Sequence, residues 1–293
     1  MGRGDLSDGE WARLVPHLPT NVGRGGRWNC HRRVINGILF RLRTGIPWRD
    51  LPPRFGRWKT VHDRHRRWSA DGTWDRILRL VQADADAEGR IDWSMVSVDS
   101  TCCRAHQHAA GARRRVPRKP HRRSRPVHHR IDEGLGRSHG GFTCKIHVAS
   151  DGGCRPLAFV ITPGQWGDTP QLIPVLERVR VPRPGGGRPR TRPDHLCGDR
   201  AYSSRRNRRY LRRRQMKRTN PEPANQQANR LRRGSASGRP AGFDKEIYRR
   251  RNEAERTMNA LKGFRALATR YDKRSYVFHG TVTVAAIRLW IRL

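Results

Sequence analysis

The chain has 293 residues, enough for one full-sized domain and a smaller one. Lys and Arg number 63 against 25 acids, a formal charge of +38, and hydrophobic residues make up 34%. Self-repulsion on that scale calls for a polyanion, and each phosphate neutralised by nucleic acid releases a counterion and adds affinity. No run of about 18 apolar residues is present, which excludes a spanning helix.

Residues 6 to about 88 read as a helical module with its own aromatic core, since seven of the nine Trp precede residue 94. Val34, Ile35, Ile38, Leu39 and Leu42 recur at helical spacing, and Thr44-Gly45 with Pro47 closes that helix. Trp58, Val61, His65 and Trp68 mark one face of a second helix, with Lys59, Arg64, Arg66 and Arg67 on the rest of its surface. Thr73 is placed to cap a third, carrying Trp74, Ile77, Leu78 and Val81. Short helices with arginines on one surface fit a helix-turn-helix-like DNA reader, with Arg64, Arg66 and Arg67 as contacts. A plain bundle with solvated charges is the competing reading.

The pattern changes at Ile91. Met95 to Asp99 is a short strand ending on an acid. Residues 107 to 140 read as a long basic loop, functional or disordered. Its histidines, His106, His108, His121, His128, His129 and His139, match no zinc spacing and suit solvent or phosphate. Thr143 to Ala149 and Leu157 to Thr162 are strands turned by Asp151-Gly152-Gly153, and Thr169 to Val179 is a helix. His195 to Asp199 is again a short strand ending on an acid. Ser203 to Arg214 suits a basic helix, Gln215 to Thr219 a short strand, residues 220 to 243 a polar loop, and Asp244 opens a strong helix. Strands interleaved with helices predict a mixed α/β sheet with flanking helices. None of the six Cys forms a C-x-x-C pair, and the Met1 end carries no apolar targeting region. Buried, reduced thiols in a cytoplasmic, nucleoid-associated protein are the expectation, against a zinc site.

A packaging protein would share the charge but need no spaced acids. In-line cutting of a phosphodiester benefits from two divalent metals about 4 Å apart, and hard Mg²⁺, or Mn²⁺ in its place, takes carboxylate oxygens. Asp99 and Asp199, each at a strand end, face the crevice where an open sheet binds ligands; singly, each also reads as a turn-starting Asp. At about 100° per residue, Tyr248, Arg251, Glu255 and Lys262 share roughly a 60° arc of the late helix. Ile247, Ala254, Met258 and Leu261 hold the adjoining arc, so Glu255 falls at the edge of the buried face. Glu246 and Glu253 lie away from it and should be solvated. Arg251 and Lys262 beside a catalytic acid suit a DNA phosphate. An ordinary amphipathic helix with charge pairs one turn apart is the alternative.

Y-x2-R-x3-E-x6-K, here Tyr248, Arg251, Glu255 and Lys262, resembles the signature of bacterial insertion-sequence transposases of the DDE class. YRRRNEAERTMNALKGFRALATRYDK, VDSTCCRAHQHAAGA, GFTCKIHVASDGGCRPLAFVITPGQWGDTPQ and DHLCGDRAYSS resemble the insertion sequence five family, as do LSDGEWARLVPHLP and TGIPWRDLPPRFGRWKTVHDRHRRWSADGTW. The resemblance spans nearly the whole chain, in order. One departure is Thr257-Met258, where an aromatic commonly follows the Glu-Arg pair. The resemblance implies a ribonuclease-H-like mixed sheet with flanking helices over residues 91–293, preceded by a small all-helical domain over 1–90. It implies Asp99, Asp199 and Glu255 as catalytic and metal-holding residues, and Tyr248, Arg251 and Lys262 as DNA contacts. It also implies cleavage at terminal inverted repeats, joining of the 3′ ends to target DNA, and a homodimer or larger assembly on double-stranded DNA. Many relatives are split across two reading frames, and this chain is expected to hold both halves. A nuclease of the same fold, or a decayed or domesticated DNA-binding protein, are the rival readings.

Overall fold

The computed structural model describes residues 2, 4–20, 28–111, 133–237 and 243–292. His121, His128 and His129, with most of the expected basic loop, lie outside the described residues. Four helices come first: α1 (Asp8–Leu14), α2 (His31–Thr44), α3 (Trp58–Ala70) and α4 (Thr73–Ala87). Ser7 and Glu10 form a reciprocal capping box on α1. Gly45, left-handed at φ 72°, ends α2 where the sequence places its stop. Gly72, not Thr73, is the N-cap of α4.

Strand β1 (Val96–Ala105) leads to the short α5 (Gln107–Ala110), then β2 (Gly136–Ser138), β3 (Gly141–Asp151) and β4 (Pro156–Pro163). Next come α6 (Leu172–Arg178), β5 (His195–Gly198), α7 (Arg205–Arg213) and β6 (Lys217–Thr219). Helices α8 (Ala224–Arg233), α9 (Lys245–Arg249), α10 (Asn252–Lys262) and α11 (Arg265–Ala268) precede β7 (Thr269–Arg270) and α12 (Ser275–Ile291). β1 is central. It runs antiparallel to β3 and parallel to β5, and β5 is parallel to β6. β4 and β2 pair with β3, and β7 extends β1. The order β4-β3-β1-β5-β6 is the ribonuclease-H-like mixed sheet that the resemblance implies.

Three expectations change. β1 does not end at Asp99, because its antiparallel ladder with β3 continues to Arg104↔Thr143. The stretch expected as polar loop contains α8, whose side chains stay unburied. The helix opened by Asp244 is two helices, since the backbone turns at Arg250-Arg251.

The last helix has no polar stripe, because it is covered on all sides: Val277, Phe278, Val282, Ala285, Ile287 and Trp290 are all buried. It packs on α3 and α4 as well as on β4. At Gly280 the approach leaves no room for a side chain, as a Cβ there would stand 1.9 Å from Ser69 Oγ. Polar contacts fix the same seam. Arg41 of α2 meets Asp272 at 3.2 Å, Thr281 donates to Asp272 at 2.8 Å, and His65 meets Thr281 at 3.1 Å. Burial pushes His65 down to about 4, only partly opposed by Asp272. A histidine held neutral this way contributes stability above its unfolded pKa of 6.5 that is lost as pH falls toward 4. That gap corresponds to about 3 kcal/mol. The denaturant midpoint should therefore fall between pH 7 and 4.5, and fall less in His65→Phe. Equal falls in the two proteins would contradict this assignment.

Candidate active site

The sheet brings two acids side by side. Parallel register pairs Val96 with Leu196, Ser97 with Cys197 and Val98 with Gly198, so Asp99 and Asp199 are the next residues on adjacent strands. Asp99 accepts the Ser100 N–H at 2.7 Å. Asp199 accepts the Ala201 N–H at 2.9 Å and thereby caps the 3-10 turn Arg200–Tyr202. The third acid comes from α10, which lies across β1 and β3. Ala254, Thr257, Met258 and Leu261 are its buried residues, so the Thr257-Met258 departure is packed into the core.

Arg251 joins the third acid to the first: its guanidinium lies 2.6 Å from Glu255 and 3.5 Å from Asp99. Burial raises the pKa of Asp99. The Ser100 amide and Arg251 lower it, and the charges of Asp199 and Glu255 raise it further. Among the described residues no three His, Cys, Asp or Glu side chains are gathered closely enough to hold a metal ion. The guanidinium between Asp99 and Glu255 occupies the place where a cation would neutralise them. Carboxylate oxygens are the donors that a hard divalent ion takes.

The relative exposure of two glutamates departs from the helical wheel. The Glu255 side chain is 51% exposed, whereas Glu253 is 14% exposed and bound to Arg250. Both glutamates lie on α10: the burial of Thr257, one turn after Glu253, extends the covered face toward Glu253, and Arg250, itself held by Asp92, closes over it. Tyr248, half-buried on α9, has its ring 5.9 Å from the Arg251 guanidinium and 5.1 Å from Phe243. Lys262 is exposed in the last turn of α10, and its charge reaches Cys103 of β1.

Arg66 and Arg67 are exposed on α3, but Arg64 is not. Its guanidinium is sandwiched 4.4 Å from Trp28 and 5.2 Å from Trp68, and it bonds His31 at 3.0 Å. Stacking between two indoles and burial withdraw Arg64 from the expected phosphate contacts. The thiols are free: Cys103, Cys144 and Cys197 are buried as expected, while Cys30 and Cys102 are exposed.

A second polar group on the reverse face of β1 escaped the sequence reading. Ser100 donates to Asp168 at 2.8 Å, and Lys145 of β3 meets the same carboxylate at 3.0 Å. Tyr202, with a buried hydroxyl, feels Asp168, Asp99 and Asp199 together, and burial with those charges raises its pKa. In the sequence Asp168 precedes Thr-Pro and reads as a helix start, so only the strand register reveals its position.

Residues 94–290 match the family described as transposase DDE domain, and residues 6–78 match putative transposase of IS4/5 family. A putative transposase for insertion sequence element IS6501 of Brucella ovis is 30% identical over 151 residues, 51% of this chain and 99% of that protein. An uncharacterized protein, y4sN, of Sinorhizobium fredii is 42% identical over 119 residues, 39% of this chain and 90% of its own length. The putative transposase for IS402 of Burkholderia cepacia is 33% identical over 136 residues, 46% and 56% of the two chains. Among solved structures, the pre-cleavage Mos1 transpososome aligns with a TM-score of 0.27 at 10% identity, covering 94% of this chain and 81% of that one. No helix among the described residues is long and apolar enough to cross a membrane.

Proposed function

Because the chain belongs to the transposase DDE domain family and is a DNA transposase of an insertion sequence, we propose that it cuts at the terminal inverted repeats of its element and joins the freed 3′ ends to target DNA. The observation that carries this reading is that Asp99 and Asp199 directly follow the last register pair, Val98 with Gly198, with Glu255 tied to Asp99 through Arg251.

DDE transposase domains use divalent metal ions. Two Mg²⁺, or Mn²⁺ in their place, would supply activation of the attacking oxygen and charge stabilisation of the leaving one. Asp99, Asp199 and Glu255 would hold them through carboxylate oxygens. A water oxygen attacks the phosphorus at the element's end, the P–O3′ bond breaks, and the 3′ hydroxyl is released. That 3′ oxygen then attacks a target phosphodiester, forming one P–O bond as the target's own P–O3′ bond breaks.

Arg251 has a part on either side of DNA arrival. Without DNA it neutralises Asp99 and Glu255. A backbone phosphate offers the guanidinium a bidentate partner and would draw it away from the acids. Tyr248, whose ring lies beside the Arg251 guanidinium, and Lys262 in the last turn of α10 would hold neighbouring phosphates. Arg66 and Arg67 on α3 would add contacts from the helical N-terminal part, residues 1–90. The catalytic part, residues 91–293, returns α12 to pack against it. Two ends held together would require a homodimer or larger assembly.

The test is a strand-transfer assay using a duplex that ends in the inverted repeats flanking the gene, with supercoiled target DNA. Joined products in the presence of Mg²⁺ are expected. Cleaved ends that never join would instead identify a nuclease of the same fold, and binding without cleavage a domesticated DNA-binding protein.

A further inference from the structure

The β1–β5 ladder brings the two aspartates near each other but ends one residue short of them. Paired register stops at Val98↔Gly198, and Asp199 is the first residue beyond it. The segment after β4 bonds to chain neighbours of both acids. Asp168 accepts from Ser100, the neighbour of Asp99, at 2.8 Å. The next residue, Thr169, donates its hydroxyl to the carbonyl of Ala201, two residues after Asp199. The Thr169 carbonyl accepts from Asn207 Nδ2 at 2.9 Å, and the same amide holds the Tyr202 carbonyl at 3.1 Å. Asn207 is fully buried. Lys145 closes the frame, holding Asp168 and the Trp166 carbonyl, both at 3.0 Å.

We propose that Asp168 and Thr169 are positioning residues that fix the separation of Asp99 and Asp199, and so the affinity of that pair for a divalent ion. This rests on reading the pair as metal-holding. An ordinary loop anchor would bond anywhere on the neighbouring segments. Here one bond lands on the residue next to Asp99 and the other on Ala201, whose N–H Asp199 accepts, and the two bonding residues are consecutive in the chain. Outer partners that fix a metal-holding side chain contribute about 10- to 100-fold in metal affinity.

The experiment titrates the full chain with Mn²⁺ alone and reads free Mn²⁺ by electron paramagnetic resonance. Thr169→Val keeps the side-chain shape and loses the donor, and Thr169→Ser keeps the donor. Expected is a loss of about tenfold in Mn²⁺ affinity for Thr169→Val, with Thr169→Ser close to the parent. Ser100→Ala, which cuts the other anchor, should show a similar loss and carries the test if Thr169→Val does not fold. Asp199→Asn is the reference. If Asp199→Asn loses Mn²⁺ while Thr169→Val and Ser100→Ala bind it like the parent, the positioning role is wrong and the acid site stands. An equal loss in Thr169→Ser and Thr169→Val also overturns the role, since the retained hydroxyl then counts for nothing. If Asp199→Asn binds Mn²⁺ like the parent, the acid site and the positioning role fall together.

Discussion

Asp199→Asn should reduce cleavage of an inverted-repeat duplex by on the order of 10³-fold or more while DNA affinity holds. Direct contact with a metal's charge accounts for several kcal/mol of transition-state stabilisation, and each 1.4 kcal/mol is about tenfold in rate. The substitution is mild elsewhere. An Asn oxygen can still accept the Ala201 N–H that caps the turn, and removing a negative charge from a chain of net charge +38 does not repel DNA. Asp99→Asn should behave alike. Glu253→Gln is the control: it changes a carboxylate two residues from Glu255 that is committed to Arg250, and should cut at the parental rate. Cleavage rates with bound fractions measured on the same duplex decide the matter. An Asp199→Asn protein that cuts normally would remove this residue from the site.

Asp272→Ala should destabilise the protein by about 3–5 kcal/mol, as removal of one partner leaves a buried charge uncompensated. Arg41 and Asp272 are each about 5% exposed or less at the side chain. Burial alone would raise the Asp272 pKa, but Arg41, His65 and the Thr281 hydroxyl together hold it below the usual carboxylate value. Two guanidinium nitrogens of Arg41 already lack a hydrogen-bond partner, so Asp272 is the anion it depends on. Urea unfolding at pH 7 would measure the loss. A partial return of stability in Arg41→Met with Asp272→Leu would separate the uncompensated charge from lost packing. An unchanged midpoint in Asp272→Ala would show that water reaches Arg41.

Part of the proposed site is legible because its determinants are local. An acid after a short apolar run is visible twice, at Asp99 and Asp199, and the one-turn spacing of Arg251 and Glu255 is visible in the helix that follows. Distant pairings were not legible. The wheel across Ile247 to Leu261 took its buried face from the apolar residues, and the burial of Thr257 with the Arg250–Asp92 pair covers Glu253 and leaves Glu255 exposed. Arg64 looked like surface because charge predicts exposure, until two indoles were found enclosing it. The Asp168 contacts need the β1–β3 register, which no short window contains. Helix α12 gave no period to read, since a helix buried all round has no polar face.

That helix also fixes an order of events at the ribosome. α3 and α4 are made early, yet the chain that covers their apolar sides is made after the whole sheet. Until α12 is made, the part of α3 and α4 that it covers stays open, and a product arrested before Ser275 would never close it. Folding of the leading helices is therefore completed only after the sheet has been made. A nascent chain stalled in the sheet region should remain protease-sensitive around Trp68 and Trp74, residues that the finished protein buries.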